Sequence, residues 1–282
     1  MSFIYAHKLK NTIRILSDTK PTIASNDILR LKKRFTKEEY DNFIKYGFIK
    51  TIIYRPNITI SSAGDVEHFN EFLKFLYDNN IDYIKIITSE AFNLNFKYNG
   101  DTDFIITTEK DIYEVTEKGV KNVSSCWIGD EDAYIEFDKF KDNCIPNEIY
   151  CSEDISEETR KQIMEVILID DAFKSLISNK KINTVGGFVV RCKYEDEGYK
   201  FLGTYISISV KPQVVNSGDE IKLDSSKEDG GFTFMSSESC KYYYGYFSQI
   251  DKYIVYKTGY TDENYRYISL PYIVDSEEQC NN

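Results

Sequence analysis

Histidine is nearly missing from this 282-residue chain, which has only His7 and His68. The two lie far apart without metal-ligand spacing, which argues against a zinc site and deprives a histidine-based triad of its base. No apolar run approaches the ~18–20 residues that span a bilayer. No C-x-x-C pair occurs among the six cysteines (Cys126, Cys144, Cys151, Cys192, Cys240 and Cys280). In a chain of this length they are expected to be reduced and structural, and Cys144 and Cys151 would bridge a short loop only in a secreted protein. Nor is there an excess of positive charge: the formal net charge is −11 and the pI about 4.9. That balance argues against nucleic acid or an anionic membrane as the main partner. The first residues lack the long apolar segment of a signal peptide, and a strand follows almost at once, so no leader is expected and a cytoplasmic location is the default. No repeat of solenoid period is present.

What the chain does contain is a globular balance, 41% hydrophobic and 29% charged, enough for one large core or two modest ones. The most informative stretch runs from Gly47 to Asn79. Ile49, Ile52 and Ile53 form a β-branched run, Arg55-Pro56-Asn57 is a turn signal, and Ile58-Thr59-Ile60-Ser61 alternates as a half-buried strand. An Ala63-Gly64-Asp65 turn then opens a helix whose Val66, Phe69, Phe72, Leu73, Phe75 and Leu76 recur at helical spacing. A strand that turns on small residues into a helix presents backbone N–H groups at its corner, a favourable place for chemistry.

Before this stretch, Phe3-Ile4-Tyr5-Ala6 and Thr12-Ile13-Arg14-Ile15-Leu16 read as a hairpin turning at Lys10-Asn11. Thr36 and Glu39 form a capping box for a helix reaching Tyr46. After it, Ile81 to Ile87 reads as a connector, Asp103 to Thr108 as a strand, and Asp111 to Val115 as its hairpin partner. Cys126-Trp127-Ile128-Gly129-Asp130 ends a further strand in a turn before a helix start at Glu131 to Phe140. Ser156 to Ser178 is the clearest helix, with a buried stripe of Ile163, Val166, Ile167, Ile169, Phe173 and Leu176. Asn183 to Gly187 turns into the strand Phe188 to Cys192, and Phe201 to Val210 continues the sheet. From about Lys211 the texture changes. Residues 211–231 combine Pro212, Gly218, Gly230 and Gly231 with charges, as in a linker. Tyr242–Tyr246, Tyr253–Lys257 and Tyr265–Val274 are tyrosine-rich strand candidates, followed by a polar tail. Two domains are expected, 1–210 and a β-rich extension over 211–282.

The fold class expected from this order is α+β: two stacked antiparallel sheets with helices outside, a four-layer αββα sandwich. Here the chain resembles a proteasome-type N-terminal nucleophile hydrolase. Asp18 follows Ser2 by sixteen positions and Gly64 follows Lys50 by fourteen, as the family's aspartate follows its nucleophile and its Ala-Gly turn follows its lysine. Ile128-Gly129-Asp130 is similar to the family's Ile-Gly-Ser turn, and Asn183-Thr184-Val185-Gly186-Gly187 loosely matches its Asp-x-x-Ser-Gly-Gly element. The resemblance spans about residues 2–210. The chain departs from it in three ways: serine stands for the usual threonine, the Asp18–Lys50 interval is about twice the usual length, and the second aspartate is replaced by asparagine or absent.

The resemblance implies an amide-bond hydrolase in which removal of Met1 exposes Ser2 as the nucleophile. The chain's own α-amino group, of ordinary pKa about 7.7–8.0, would serve as base. Lys50 would lower the hydroxyl pKa and Asp18 would hold the ammonium. The Gly64 N–H would stabilise the oxyanion, a contact whose loss costs about 3–4 kcal/mol elsewhere. Asp130 and Asn183 occupy the remaining family positions. The substrate would be a peptide or small amide, assembly as a homo-oligomer is expected by analogy, and neither cofactor nor metal is implied. Lys50→Ala is expected to abolish turnover with little loss of thermal stability.

Each residue also has a structural explanation. Asp18 caps a turn, Lys50 guards an edge strand, and Gly64 is required by its turn whether or not catalysis occurs. The alternative reading is therefore a catalytically inactive structural or interaction subunit of the same fold.

Overall fold

The alternation of residues 3–18 becomes a hairpin in which β1 (Phe3–Leu9) and β2 (Thr12–Asp18) run antiparallel, with Ile4 opposite Ser17 and Leu9 opposite Thr12. The computed structural model describes residues 2–10, 12–22, 36–143, 155–179, 181–195, 197–205, 232–236, 242–247, 252–257, 271–276 and 278–279. Several expectations fall wholly or partly outside these residues, among them the linker over 211–231, the end of the Phe201–Val210 strand, the start of the Tyr265–Val274 strand, Asn11 of the first turn, part of the polar tail, and the side chain of Glu39. Cys144, Cys151, Cys240 and Cys280 lie outside them as well.

Two five-stranded antiparallel sheets organise the first part of the chain. In the first, β8 (Ser125–Gly129), β9 (Val189–Glu195) and β10 (Gly198–Leu202) join the hairpin in the order β10-β9-β2-β1-β8. The second runs in sequence order through β3 (Thr51–Arg55), β4 (Ile58–Gly64), β5 (Thr102–Thr107), β6 (Ile112–Thr116) and β7 (Gly119–Val123). Because side chains alternate along a strand, each sheet has two apolar faces to cover. Ile4, Ala6, Ile13 and Ile15 of the first sheet share a core with Ala63, Ile105 and Ile112 of the second.

The outer faces take helices. Ile60, Phe104 and Ile106 pack under α2 (Val66–Asp78) and α3 (Ile84–Lys97), which contribute Phe72, Leu73 and Ile87; α1 (Lys37–Tyr46) precedes β3. Burial of each such side chain is worth about 1.5–3 kcal/mol. Asp65 caps α2 by accepting from the Glu67 N–H. Phe3 and Leu16, on the other face of the first sheet, pack against Phe137 of α4 (Glu131–Asn143) and Ile169 and Phe173 of α5 (Glu157–Ser178). Ser156 caps α5 by accepting from the Thr159 N–H.

A third antiparallel sheet comprises β11 (Thr204–Tyr205), β12 (Phe232–Ser236), β13 (Tyr242–Phe247), β14 (Lys252–Lys257) and β15 (Tyr272–Val274). Ile254 and Tyr256 of β14 insert into the core between the first two sheets. The architecture is thus α+β, with antiparallel sheets and five helices among the described residues.

Several sequence expectations change. β4 is buried on both faces from Ile58 to Ala63 rather than half-buried, and Phe75 of the α2 stripe is exposed. The connector over Ile81 to Ile87 is half helix, because α3 starts at Ile84 and buries Ile87, Thr88, Ala91, Leu94 and Asn95 at helical spacing. The β-branched cluster Ile84-Lys85-Ile86-Ile87 lowers helix propensity, and burial against the sheet outweighs it. Along α5, only the second half of the expected stripe is buried: Ile169, Phe173 and Leu176 are, whereas Ile163, Val166 and Ile167 are half-exposed.

Candidate active site

The end of β2 carries Asp18 into the interior, and four donors converge on its carboxylate. Oδ1 accepts from the Lys50 ammonium at 2.6 Å and from the Phe3 N–H at 3.0 Å. Oδ2 accepts from the Lys20 N–H at 3.2 Å and the Gly186 N–H at 3.3 Å. Both side chains of the Asp18–Lys50 pair are 0% exposed. A buried carboxylate is tolerated when its lone pairs are filled in this way.

Lys50 enters just before β3. Its Nζ also donates to the Lys20 carbonyl at 2.9 Å and lies 5.5 Å from the centre of the Phe48 ring. Burial lowers its pKa from the ordinary lysine value, Asp18 opposes that shift, and the charge on Lys20 adds to it. Such complete burial revises the expectation that Lys50→Ala would spare stability, since its loss strands the Asp18 charge in the interior.

Ser2 is 7% exposed and lies directly before β1. It shares strand parity with Ile4 and Ala6, which face the core between the sheets. Its carbonyl accepts from the Asp130 N–H at 2.8 Å. The Phe3 amide bonded to Asp18 is the next link of the chain, so the Ser2–Phe3 peptide and the Lys50 ammonium lie no more than two hydrogen-bond lengths apart.

Gly129 makes this approach possible. It has φ +107°, and a Cβ there would lie 1.8 Å from the Ser2 carbonyl oxygen. The same Cβ would contact Ala63 at 3.4 Å, which puts the Ala63-Gly64 corner beside Ser2. Gly64 itself has φ +142°, and a Cβ on it would meet the Asp101 carbonyl oxygen at 2.1 Å. The packing of β4 on β5 therefore demands glycine there, whether or not the corner serves catalysis.

The other two candidates are placed differently. Asp130 is buried, and its Oδ1 accepts from the Ala133 N–H at 2.9 Å, capping the first turn of α4. Asn183 is exposed and joins the cluster only through its carbonyl, which accepts from the Lys20 ammonium. The structure thus joins Asp18 to Lys50 and to the amide that follows Ser2, sets Asp130 and the Ala63-Gly64 corner near the Ser2 main chain, and leaves the Asn183 side chain outside.

Sequence reasoning missed the groups that hold Asp18 in place. The Lys20 and Gly186 amides bind its second oxygen, and the Lys20 amide also donates to the Gly186 carbonyl at 3.2 Å. Thr19 accepts the Phe188 N–H on its Oγ1 at 3.0 Å and the Phe48 N–H on its carbonyl at 2.9 Å. The Gly186-Gly187 pair was the one signal available. Ser17, opposite Ile4, has a buried hydroxyl without a partner among the described residues.

Cys126 and Cys192 are buried, and burial pushes the Cys126 thiol pKa up, away from reactivity. Among the described residues no group of three or more His, Cys, Asp or Glu is arranged to hold a metal ion. No described helix is long and apolar enough to cross a membrane.

No family model matches the chain, and no curated protein matches it. Among solved structures it is similar to the crystal structure of eukaryotic HslV from Trypanosoma brucei, with 13% sequence identity and a TM-score of 0.44. The match covers 69% of this chain and 99% of that one. A likeness of this size assigns neither family nor activity.

Proposed function

We propose that the chain is an amide-bond hydrolase of the proteasome-like N-terminal nucleophile class, acting on a peptide or small amide. The observation that carries the reading is the shared Asp18 oxygen, which accepts from both the Lys50 ammonium and the amide that follows Ser2. In this reading the two sheets and their flanking helices are the four-layer αββα sandwich of that class, formed by residues 1–210, with 211–282 as a β-rich extension. Assembly into a homo-oligomer belongs to the same proposal.

Once the bond before Ser2 is cut, the Ser2 hydroxyl attacks the substrate carbonyl and passes its proton to the Ser2 α-amine. The new C–O bond creates an oxyanion, which the Gly64 N–H stabilises. As the C–N bond breaks, the leaving amine takes the proton from the α-ammonium. Water then attacks the acyl-serine ester, losing a proton to the α-amine; the C–Oγ bond breaks, the Ser2 oxygen takes that proton back, and the acid leaves. Lys50 supplies positive potential beside the hydroxyl, and Asp18 positions Lys50 and the first peptide of β1. Asp130 holds the Ser2 carbonyl by its main chain.

Intact-mass measurement followed by labelling with an electrophilic amide-hydrolase probe tests this. Loss of Met1 and probe labelling that disappears in Ser2→Ala support the proposal. Retention of Met1, or labelling that persists in Ser2→Ala, defeats it.

A second reading, a catalytically inactive structural or interaction subunit, is favoured by one observation. The Asn183 side chain is exposed, and Asp130 Oδ1 is engaged as a helix cap. Under this reading Met1 removal is irrelevant and the probe labels nothing.

A further inference from the structure

The Gly64 corner leans on one buried side chain. Thr102 lies opposite Gly64 in the β4–β5 pair and is 0% exposed, and a Cβ on Gly64 would sit 2.9 Å from its Oγ1. That oxygen accepts the N–H of the Gly64–Asp65 peptide at 3.2 Å. It also lies 3.2 Å from Nδ1 of His68, in the first turn of α2. The Thr102 hydroxyl has no other partner among the described residues. Its carbonyl accepts from Asn95 Nδ2 at 2.7 Å, which ties the residue to α3. His68 is held in turn, because its ring stacks on Tyr98 with centres 3.5 Å apart. Gly64 itself is exposed, so the corner is reachable from outside while its support is not.

Counting protons shows what this arrangement can do. The Asp65 amide can only donate, so the Thr102 oxygen accepts there and its single proton goes to Nδ1 when His68 is neutral. When His68 is protonated, Nδ1 becomes a donor, the bond reverses, and the buried hydroxyl proton loses its acceptor. We propose that Thr102 is a positioning residue for the Gly64 corner and that neutral His68 orients its hydroxyl, so that protonating His68 loosens the corner. Histidine is the side chain that changes charge between pH 5 and 8. Glu71, one turn on, favours the imidazolium, but its oxygens are already taken by Lys97 and the Tyr98 hydroxyl, each at 2.6 Å. The Lys97 charge and the N-terminal end of α2 oppose it. Asp65 and Glu67 in the same turn, and Asp101 and Asp103 flanking Thr102, complete the charges around the pair. The inference rests on the hydrolase reading only in giving the Gly64 N–H a task in the chemistry.

Amide hydrogen exchange of the full chain, read by NMR at pH 7.5 and 5.5, tests the proposal. Protection of the Asp65 amide is taken relative to Ile105 and Ile106 in β5, which cancels pH effects shared by the whole fold. In the wild type this relative protection is expected to fall at least tenfold at the lower pH. His68→Gln, which keeps a side-chain acceptor and never charges, is expected to hold it constant. Thr102→Val is expected to be low at both pH values, and Thr102→Ser to restore the wild-type pattern. A flat wild-type ratio, the same fall in His68→Gln, or wild-type protection in Thr102→Val overturns the proposal. The electrophilic amide-hydrolase probe supplies the chemical readout. Below about pH 6.5 its labelling rate is expected to fall more steeply with acid in the wild type than in His68→Gln; equal slopes overturn the link to the chemistry. The exchange measurement judges the corner whether or not the chain is labelled, so a wild type that the probe never labels defeats the hydrolase reading alone.

Discussion

The Tyr256 hydroxyl donates to the Tyr46 carbonyl across 2.9 Å, joining residues 210 positions apart. Tyr46 ends α1, and the chain then passes Phe48, whose amide bonds to Thr19, before it delivers Lys50. The third sheet is therefore tied to the segment that sets the buried ion pair. Tyr256→Phe removes this donor from a buried carbonyl and is expected to destabilise the protein by about 1–3 kcal/mol. Urea unfolding measures it, and an unchanged midpoint would show that the bond contributes nothing.

Either half of the Asp18–Lys50 pair left alone is a buried charge. Asp18→Asn and Lys50→Met are each expected to cost about 3–5 kcal/mol, and the double variant clearly less than the two combined. A double-mutant cycle by chemical denaturation provides the check; additive losses would mean the two side chains do not interact.

His7 carries a pH signature. Burial, with the Arg14 charge beside it, lowers its pKa to about 3. The unfolded chain binds a proton near pH 6.5 while the native state does not, so stability is complete above ~6.5 and falls as the pH drops from there toward 3. The loss amounts to a few kcal/mol. His7→Phe, which keeps a ring beside Tyr5, is expected to flatten this limb. The wild-type minus variant difference in unfolding free energy across pH 4 to 7 reports it, and parallel curves would contradict it.

Gly129→Ala sets a methyl group against the Ser2 carbonyl and forces an alanine to a positive φ. The backbone strain alone costs about 1–3 kcal/mol, and the clash adds to it. A lower Tm together with a displaced Ser2, read as loss of probe labelling, is the expected outcome. Wild-type Tm would mean that the Ser2 strand end yields freely.

Much of the site is legible in one dimension. The sixteen-residue interval from Ser2 to Asp18 is the length of a hairpin, so pairing β1 with β2 brings the two ends together by necessity. The Ala63-Gly64-Asp65 corner and the helix after it follow from small residues preceding an amphipathic period. Helix α3 was harder to read because its β-branched start disguises a periodic burial that only the sheet beneath reveals. Lys20 and Gly186 hold Asp18 through backbone amides, which side-chain chemistry does not mark, and the Thr19 hydroxyl that accepts the Phe188 N–H looks in one dimension like any turn residue.

Alternation and period in this sequence determine which faces are apolar and where the chain must turn, because those are local consequences of backbone geometry. They do not determine which apolar face meets which. Only tertiary packing decided that Lys50 would be sealed against Asp18, that Tyr256 would reach Tyr46, and that His68 would meet Thr102. Those outcomes depend on elements distant in the chain, whose shapes and charges meet only once the sheets have stacked.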